Sequence, residues 1–167
     1  YDGPQKIIAK NINAYLLDAN DAYIERLKKP ISPFPPISFG NMPNDGGGLI
    51  LSEAEFISFR EKYPNDIIFI KKLFGSMEFI RNQSRYCLWI KKSDLEKAEN
   101  NPFILERIKQ TKEHRLASKD KSCNALAYRS YQFRDTKEPI KSQLIIPSVS
   151  SERRNYIPIG FLNKDCV

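Results

Sequence analysis

A chain of 167 residues is about one domain long, and at 41% hydrophobic with ten Phe, eight Tyr and one Trp it carries enough apolar material for a core. That composition excludes wholesale disorder, and the longest apolar run, Ile67-Ile68-Phe69-Ile70, is strand-sized and far short of the roughly 18 residues a membrane helix needs. The formal charge of +7 is confined to the last third: from Arg107 onward 13 basic residues stand against six acidic ones, whereas residues 1–106 hold 14 of each. A localised positive field attracts polyanions, although a solvated basic face has the same composition.

The cysteines, Cys87, Cys123 and Cys166, are odd in number and form no CxxC pair. A disulfide framework is therefore not expected, and the chain reads as cytoplasmic. The opening Tyr1-Asp2-Gly3-Pro4 has neither the basic nor the apolar region of a signal peptide, and a start without Met leads us to expect a piece of a longer protein.

In chain order, residues 1–30 are mixed, with amphipathic stretches at Ile12–Leu17 and Ala22–Leu27. Four prolines in the seven residues from Pro30 to Pro36 force an extended, irregular segment, and its interleaved Ile31, Phe34 and Ile37 suggest a strap lying against a core. Gly40-Asn41-Met42-Pro43-Asn44-Asp45-Gly46-Gly47-Gly48 is a dense turn signal. The lysine and hydroxyl that a phosphate-binding loop requires after its last glycine are replaced by Leu49-Ile50-Leu51, and no dinucleotide fingerprint is present.

Ser52-Glu53-Ala54-Glu55 has the form of a capping box and predicts a helix to about Lys62, with Phe56 and Phe59 on its buried side and Tyr63-Pro64 ending it. Strands are predicted at Ile67–Lys71, Met77–Arg81 and Tyr86–Lys91. Ser93-Asp94-Leu95-Glu96 predicts a second cap and a short helix. Asn101-Pro102 predicts the N-cap and first position of a longer helix through about Leu116. Beyond it, Tyr128–Arg134 alternates as a strand would, and it could also contact phosphates through Arg and bases through its aromatic rings. Gln143–Pro147 and Asn155–Phe161 read as two strands around a polar hairpin. Together these elements predict an α+β fold: a mostly antiparallel, curved sheet with a few flanking helices and long irregular Pro/Gly-rich segments.

Catalysis has poor material here. His114 is the one histidine, it sits on a predicted helix between Glu113 and Arg115, and it has no second His or Cys at metal-ligand spacing. No serine-nucleophile elbow is present, and helix capping accounts for Glu53 and Glu55. We expect no catalytic residue, metal or cofactor site in this stretch.

Three ordered blocks resemble the target recognition region of MmeI-like enzymes, the single-chain restriction-modification proteins of type IIL. They are Pro30–Ser52 with its Phe39–Gly47 centre, Phe74–Ile80 running into Arg85–Trp89, and Ile146–Arg154 running into Ile157–Phe161, with Arg115-Leu116-Ala117-Ser118 between the last two. Ala14 departs from the Pro of that family's Ile-Asn-Pro-Tyr-Leu pattern, a difference of local turn geometry. The resemblance covers nearly the whole chain, so residues 1–167 are expected to be one target recognition domain of a larger enzyme, continuing past Phe161-Leu162.

The resemblance implies that double-stranded DNA and the methyltransferase domain of the same chain are the partners, with no membrane. It also implies a parent that uses S-adenosylmethionine for adenine methylation and a divalent metal for DNA cleavage. On this reading Arg107, Arg115, Lys119, Lys121 and Arg129 are phosphate contacts. Gln132, Arg134, Glu152, Arg153 and Arg154 are candidates for base edges, since Arg suits guanine, Gln suits adenine and Glu accepts from cytosine N4. A single-stranded nucleic-acid binder or a protein-interaction domain would share the same charge and aromatic content.

Overall fold

In the computed structural model, which describes residues 8–21, 23, 25–34 and 37–167, the chain forms two units, Tyr1–Ser38 and Phe39–Val167. In the first unit the Ile12–Leu17 stretch makes a tight turn. The Asn13 side-chain oxygen accepts from the Tyr15 and Leu17 amides at 2.9 and 3.1 Å, and Leu16 takes a left-handed φ of 58°. Ala22 and Ile24 of the second amphipathic stretch, and Pro35 and Pro36 of the proline segment, lie outside the described residues. Ile31, Phe34 and Ile37, expected to pack as a strap, are exposed.

The second unit runs β1 (Ile50–Leu51), α1 (Glu53–Lys62), a 3-10 turn (Pro64–Phe69), β2 (Ile70–Lys72), α2 (Ser76–Arg81) and β3 (Tyr86–Leu88). A 3-10 turn (Lys92–Asp94), α3 (Leu95–Glu99), α4 (Pro102–Ala117), α5 (Lys121–Asn124), a last 3-10 turn (Ala127–Arg129), β4 (Ser142–Ile145) and β5 (Gly160–Asn163) follow. The α+β class and the antiparallel pairing hold, with the strands divided between two small sheets. One has the order β1-β3-β2, and the other is the β4-β5 hairpin. Cys166 pairs in parallel with Lys72, so the last residues lie along the free edge of β2.

Local chemistry explains most of the helices. Ser52 caps α1 through its hydroxyl while Glu55 reaches back to the Ser52 amide at 2.8 Å, an arrangement worth about 1 kcal/mol. Phe59 on that helix is buried, and Phe56 stacks on Tyr86 of β3 with centroids 3.8 Å apart. Asn101 caps α4 by accepting from the Phe103 and Ile104 amides, and Pro102 fills the first position, where a missing N–H does no harm. Cys87 in β3, Leu88, Leu51, Phe69, Ile104 and Phe133 form the centre of the core between the first sheet and α4.

Three expectations change. Met77–Arg81 is helical, because the Gly75 amide donates to Glu78 Oε2 at 2.9 Å and starts a turn that a short apolar run cannot announce by period alone. Ile67–Lys71 spends its first residues in a 3-10 turn begun by Pro64, so that β2 is only Ile70–Lys72. Ser93 caps nothing; a 3-10 turn over Lys92–Asp94 leads into α3 instead.

The largest change concerns Arg115. Its side chain is fully buried and all five of its hydrogen-bond acceptors are backbone carbonyls. Nε donates to Asn44 O at 2.9 Å, Nη1 to Leu126 O and Arg129 O at 3.0 Å each, and Nη2 to Pro43 O at 3.1 Å and Gln132 O at 2.7 Å. Burial, and then Arg129, pull its pKa below the ordinary arginine value, while Asp45 opposes them. Charge-assisted bonds offset the desolvation of a buried cation only when nearly every donor is used, and here the fork is filled.

This also explains why Tyr128–Arg134 is not a strand. The Leu126, Arg129 and Gln132 carbonyls converge on one guanidinium, and successive i→i+3 bonds (Arg129 N to Leu126 O, Gln132 N to Arg129 O) wind the segment into turns. Replacing Arg115 by Met keeps the volume but leaves five buried carbonyls without a donor. We expect a loss of at least ~3 kcal/mol in urea unfolding, and Arg115→Lys should recover little of it because one ammonium cannot serve five acceptors.

Candidate nucleic-acid interface

The glycine run packs against α4. Asp45, buried, accepts from the Leu49 amide at 2.6 Å, and the chain turns through Asn44, Gly46 and Gly47 at φ 48°, 64° and 88°. A Cβ on Gly46 would meet the His114 ring; one on Gly48 would collide with Thr111 Oγ1 and lie 2.9 Å from the Arg107 carbonyl oxygen. These glycines therefore let backbone approach helix, and their space is filled by α4 rather than open to a phosphate or cofactor. Among the described residues no group of three or more His, Cys, Asp or Glu could hold a metal ion, and burial pushes the Cys87 thiol up to about 12, where it is inert.

Of the five predicted phosphate contacts, three are committed to the fold. Arg115 is buried as described. Arg107 donates to Gly47 O and Ile50 O at 3.2 Å each and pairs with Glu55, tying the glycine run to α1. Arg129 donates to Phe133 O at 3.0 Å and Arg134 O at 2.8 Å. These three side chains brace backbone and are corrected from contacts to framework. Lys119 and Lys121 are exposed at the joint between α4 and α5, on either side of Asp120, whose carboxylate accepts from the Ser122 amide and caps α5.

The predicted base-edge residues fall in two places. Gln132 and Arg134 leave the turn segment held by Arg115. Gln132 is half-buried and donates to Ile90 O at 3.4 Å; Arg134 is exposed and pairs with Asp135 at 3.0 Å, while its amide donates to Met42 O. Glu152, Arg153 and Arg154 lie on the long loop joining β4 to β5, where a turn closes from Arg154 N to Ser151 O at 3.0 Å. Glu152 and Arg153 are exposed, whereas Arg154 rests against Tyr156 with its guanidinium carbon 5.9 Å from the ring centroid. The hairpin stem is seated on α2 at Gly160, where a Cβ would overlap the Phe79 ring.

Beside Gln132 an open cleft has Trp89 and Phe133 at its base and Lys91, Lys92, Thr136 and Glu138 around its rim. Glu138 accepts from the Trp89 indole N–H and from Lys71 Nζ at 3.3 Å, with Lys91 Nζ 3.7 Å from its other oxygen. Burial alone would raise its pKa, but the indole donor, Lys71 and Lys91 together hold the carboxyl below the ordinary glutamate value. Sequence reasoning assigned none of these residues, since Lys71, Lys91 and Lys92 come from the electrically neutral part of the chain and no local pattern joins them to Glu138.

A carboxyl with a lowered folded-state pKa stabilises the fold fully above its unfolded pKa, and that contribution disappears as pH falls through the folded value. Glu138→Gln should therefore lower the melting temperature at neutral pH, with the gap to wild type closing as the pH falls through the acid range below 4.5. Melting curves across that range check it; a gap that persists in acid would mean the charge is not what holds the cluster.

Comparison with known proteins places this geometry. Residues 18–167 match the family model described as the MmeI target recognition domain. The chain is 44% identical over 162 residues to a Bacillus subtilis (strain 168) protein named DNA methyltransferase A, an alignment covering 97% of this chain and 18% of that protein. It is also similar, at 36% identity and a TM-score of 0.81, to a solved structure described as the type IIL restriction-modification enzyme MmeI in complex with DNA, over 99% of this chain and 22% of that one. The chain thus spans about a fifth of the length of each.

Proposed function

This chain belongs to the MmeI target recognition domain family, and from that premise we propose that it reads the sequence of double-stranded DNA on behalf of a longer restriction-modification enzyme. The observation that carries the reading is the match over 99% of the chain to a structure solved with DNA. On this reading the parent methylates adenine with S-adenosylmethionine, cleaves with a divalent metal, and works in the cytoplasm, and this domain decides where.

The division of labour follows from exposure. Lys119 and Lys121 are free to meet phosphates, which position the protein without carrying sequence information. Arg153, with Glu152 beside it, projects from the β4-β5 loop, and Gln132 and Arg134 project from the braced turn segment; each presents donors or acceptors of the kind a major-groove edge matches. Arg154, steadied by Tyr156, is the most preorganised of the arginines on that loop. A single-stranded binder would need its aromatic rings free to stack, yet of Tyr128, Tyr131 and Phe133 only Tyr128 is exposed and Phe133 is in the core.

Fluorescence anisotropy of the intact protein with duplex DNA and matched single strands is expected to show duplex preference; preference for single strands would reject the reading. In selection from a random duplex pool, Arg153→Ala is expected to relax discrimination at one base pair by about 1–3 kcal/mol. Equal weakening on every sequence would assign Arg153 to the phosphate backbone instead.

A further inference from the structure

The framework role of Arg107, Arg115 and Arg129 takes three cations out of the set available to DNA and raises the question of what replaces them. The cleft beside Gln132 supplies an answer. Three lysines, Lys71, Lys91 and Lys92, meet there with one carboxylate, Glu138, so the rim keeps a positive excess. Glu138 is already engaged by Trp89 and Lys71, and its second oxygen stands 3.7 Å from Lys91, whose side chain is 63% exposed. Lys92 is exposed at the start of its 3-10 turn and, among the described residues, has no ion-pair partner. Across the cleft Gln132 spends one N–H on Ile90 O, and an amide has a further N–H and a carbonyl oxygen, the pair that adenine N7 and N6 accept and donate to.

We propose that Lys91 and Lys92 clamp a DNA phosphate at the mouth of this cleft, fixing the strand beside Gln132. The inference rests on the DNA-reading role proposed above and deepens it: backbone and base contacts come from one cleft, and its cations come from the part of the chain whose net charge is zero. Glu138 acts as the positioning residue. By holding Lys71 over the Trp89 ring, 5.6 Å from its centroid, it keeps that lysine back from the mouth and leaves Lys91 and Lys92 as the cations that face a ligand.

The test is duplex binding by the intact protein, followed by anisotropy over a salt series, for wild type, Lys92→Gln and the double variant Lys91→Gln/Lys92→Gln. The probes are a fluorescein-labelled mixed-sequence duplex and the best binders selected from a random pool. Each lost phosphate contact lowers the log–log salt slope by about 0.9, so the expected drops are about 0.9 for the single variant and about 1.8 for the double, with equal weakening on both probes. Lys92→Gln alters an exposed side chain with no partner to strand, so it carries the test even if the double variant unfolds. Unchanged slopes in the variants of a protein that binds duplex would overturn the clamp and leave DNA reading standing. A wild type that binds no duplex would overturn both.

Discussion

Five carbonyl oxygens from three separate stretches of chain meet on the Arg115 guanidinium, and much of the second unit is arranged so that they can. A planar fork with fixed donor directions accepts only one spatial pattern of acceptors, so it specifies the path of whatever backbone supplies them. Pro43 and Asn44 must come within reach of α4, which forces the next residues through left-handed turns and requires glycine where the chain touches Thr111 and His114. Leu126, Arg129 and Gln132 must present carbonyls at three-residue spacing, which only a 3-10-like winding does. The glycine run and the turn segment are thus two sides of one constraint, and Arg134 N bonding to Met42 O joins them directly.

The same constraint changes the meaning of the charge count. The basic excess after Arg107 is real, but three of its arginines neutralise backbone dipoles and do not project a field into solvent. What remains exposed is lysine at the α4–α5 joint, Arg134, and Arg153 on the hairpin loop. Arginine is the residue suited to such internal bracing, because it stays charged when buried and offers five donors; lysine is left at the surface, where a flexible point charge serves as well.

Local signals were legible where local chemistry decides the outcome. The Ser52 box and the Asn101-Pro102 start fix α1 and α4 from within a few residues, and the core position of Cys87 follows from the apolar strand around it. The hairpin at the end of the chain was visible as two apolar runs flanking polar residues, although its strands are shorter than those runs. What could not be read depends on distant residues. Met77–Arg81 and Tyr128–Arg134 show apolar alternation yet are wound into turns by Glu78 and by Arg115, and no window of sequence contains both the segment and its cause. The family's blocks located the domain, but an arginine within a block looks the same whether it faces DNA or a carbonyl. Burial distinguishes them, and burial is a tertiary property. Lys91, Lys92 and Glu138 went unread for the converse reason, since their cleft exists only once residue 89 and residue 138 have met.

This arrangement separates stability from specificity. The residues that brace the frame donate to main-chain carbonyls, acceptors that persist whatever side chain the accepting residue carries. Glu152 and Arg153 project from a loop whose stem is held by β4-β5 pairing and by the contact of Gly160 with Phe79, so exchanging them disturbs no buried bond. Gln132 is intermediate: its carbonyl belongs to the frame through Arg115, while its side chain faces the cleft. A substitution there alters what is read without removing the main-chain acceptor. A change at Arg115 would instead let the backbone at 132 drift and carry every side chain on that segment with it. Base contacts tolerate errors of position poorly, so a fully bonded internal arginine is a physical route to a recognition surface that is exchangeable at its tips and rigid at its root.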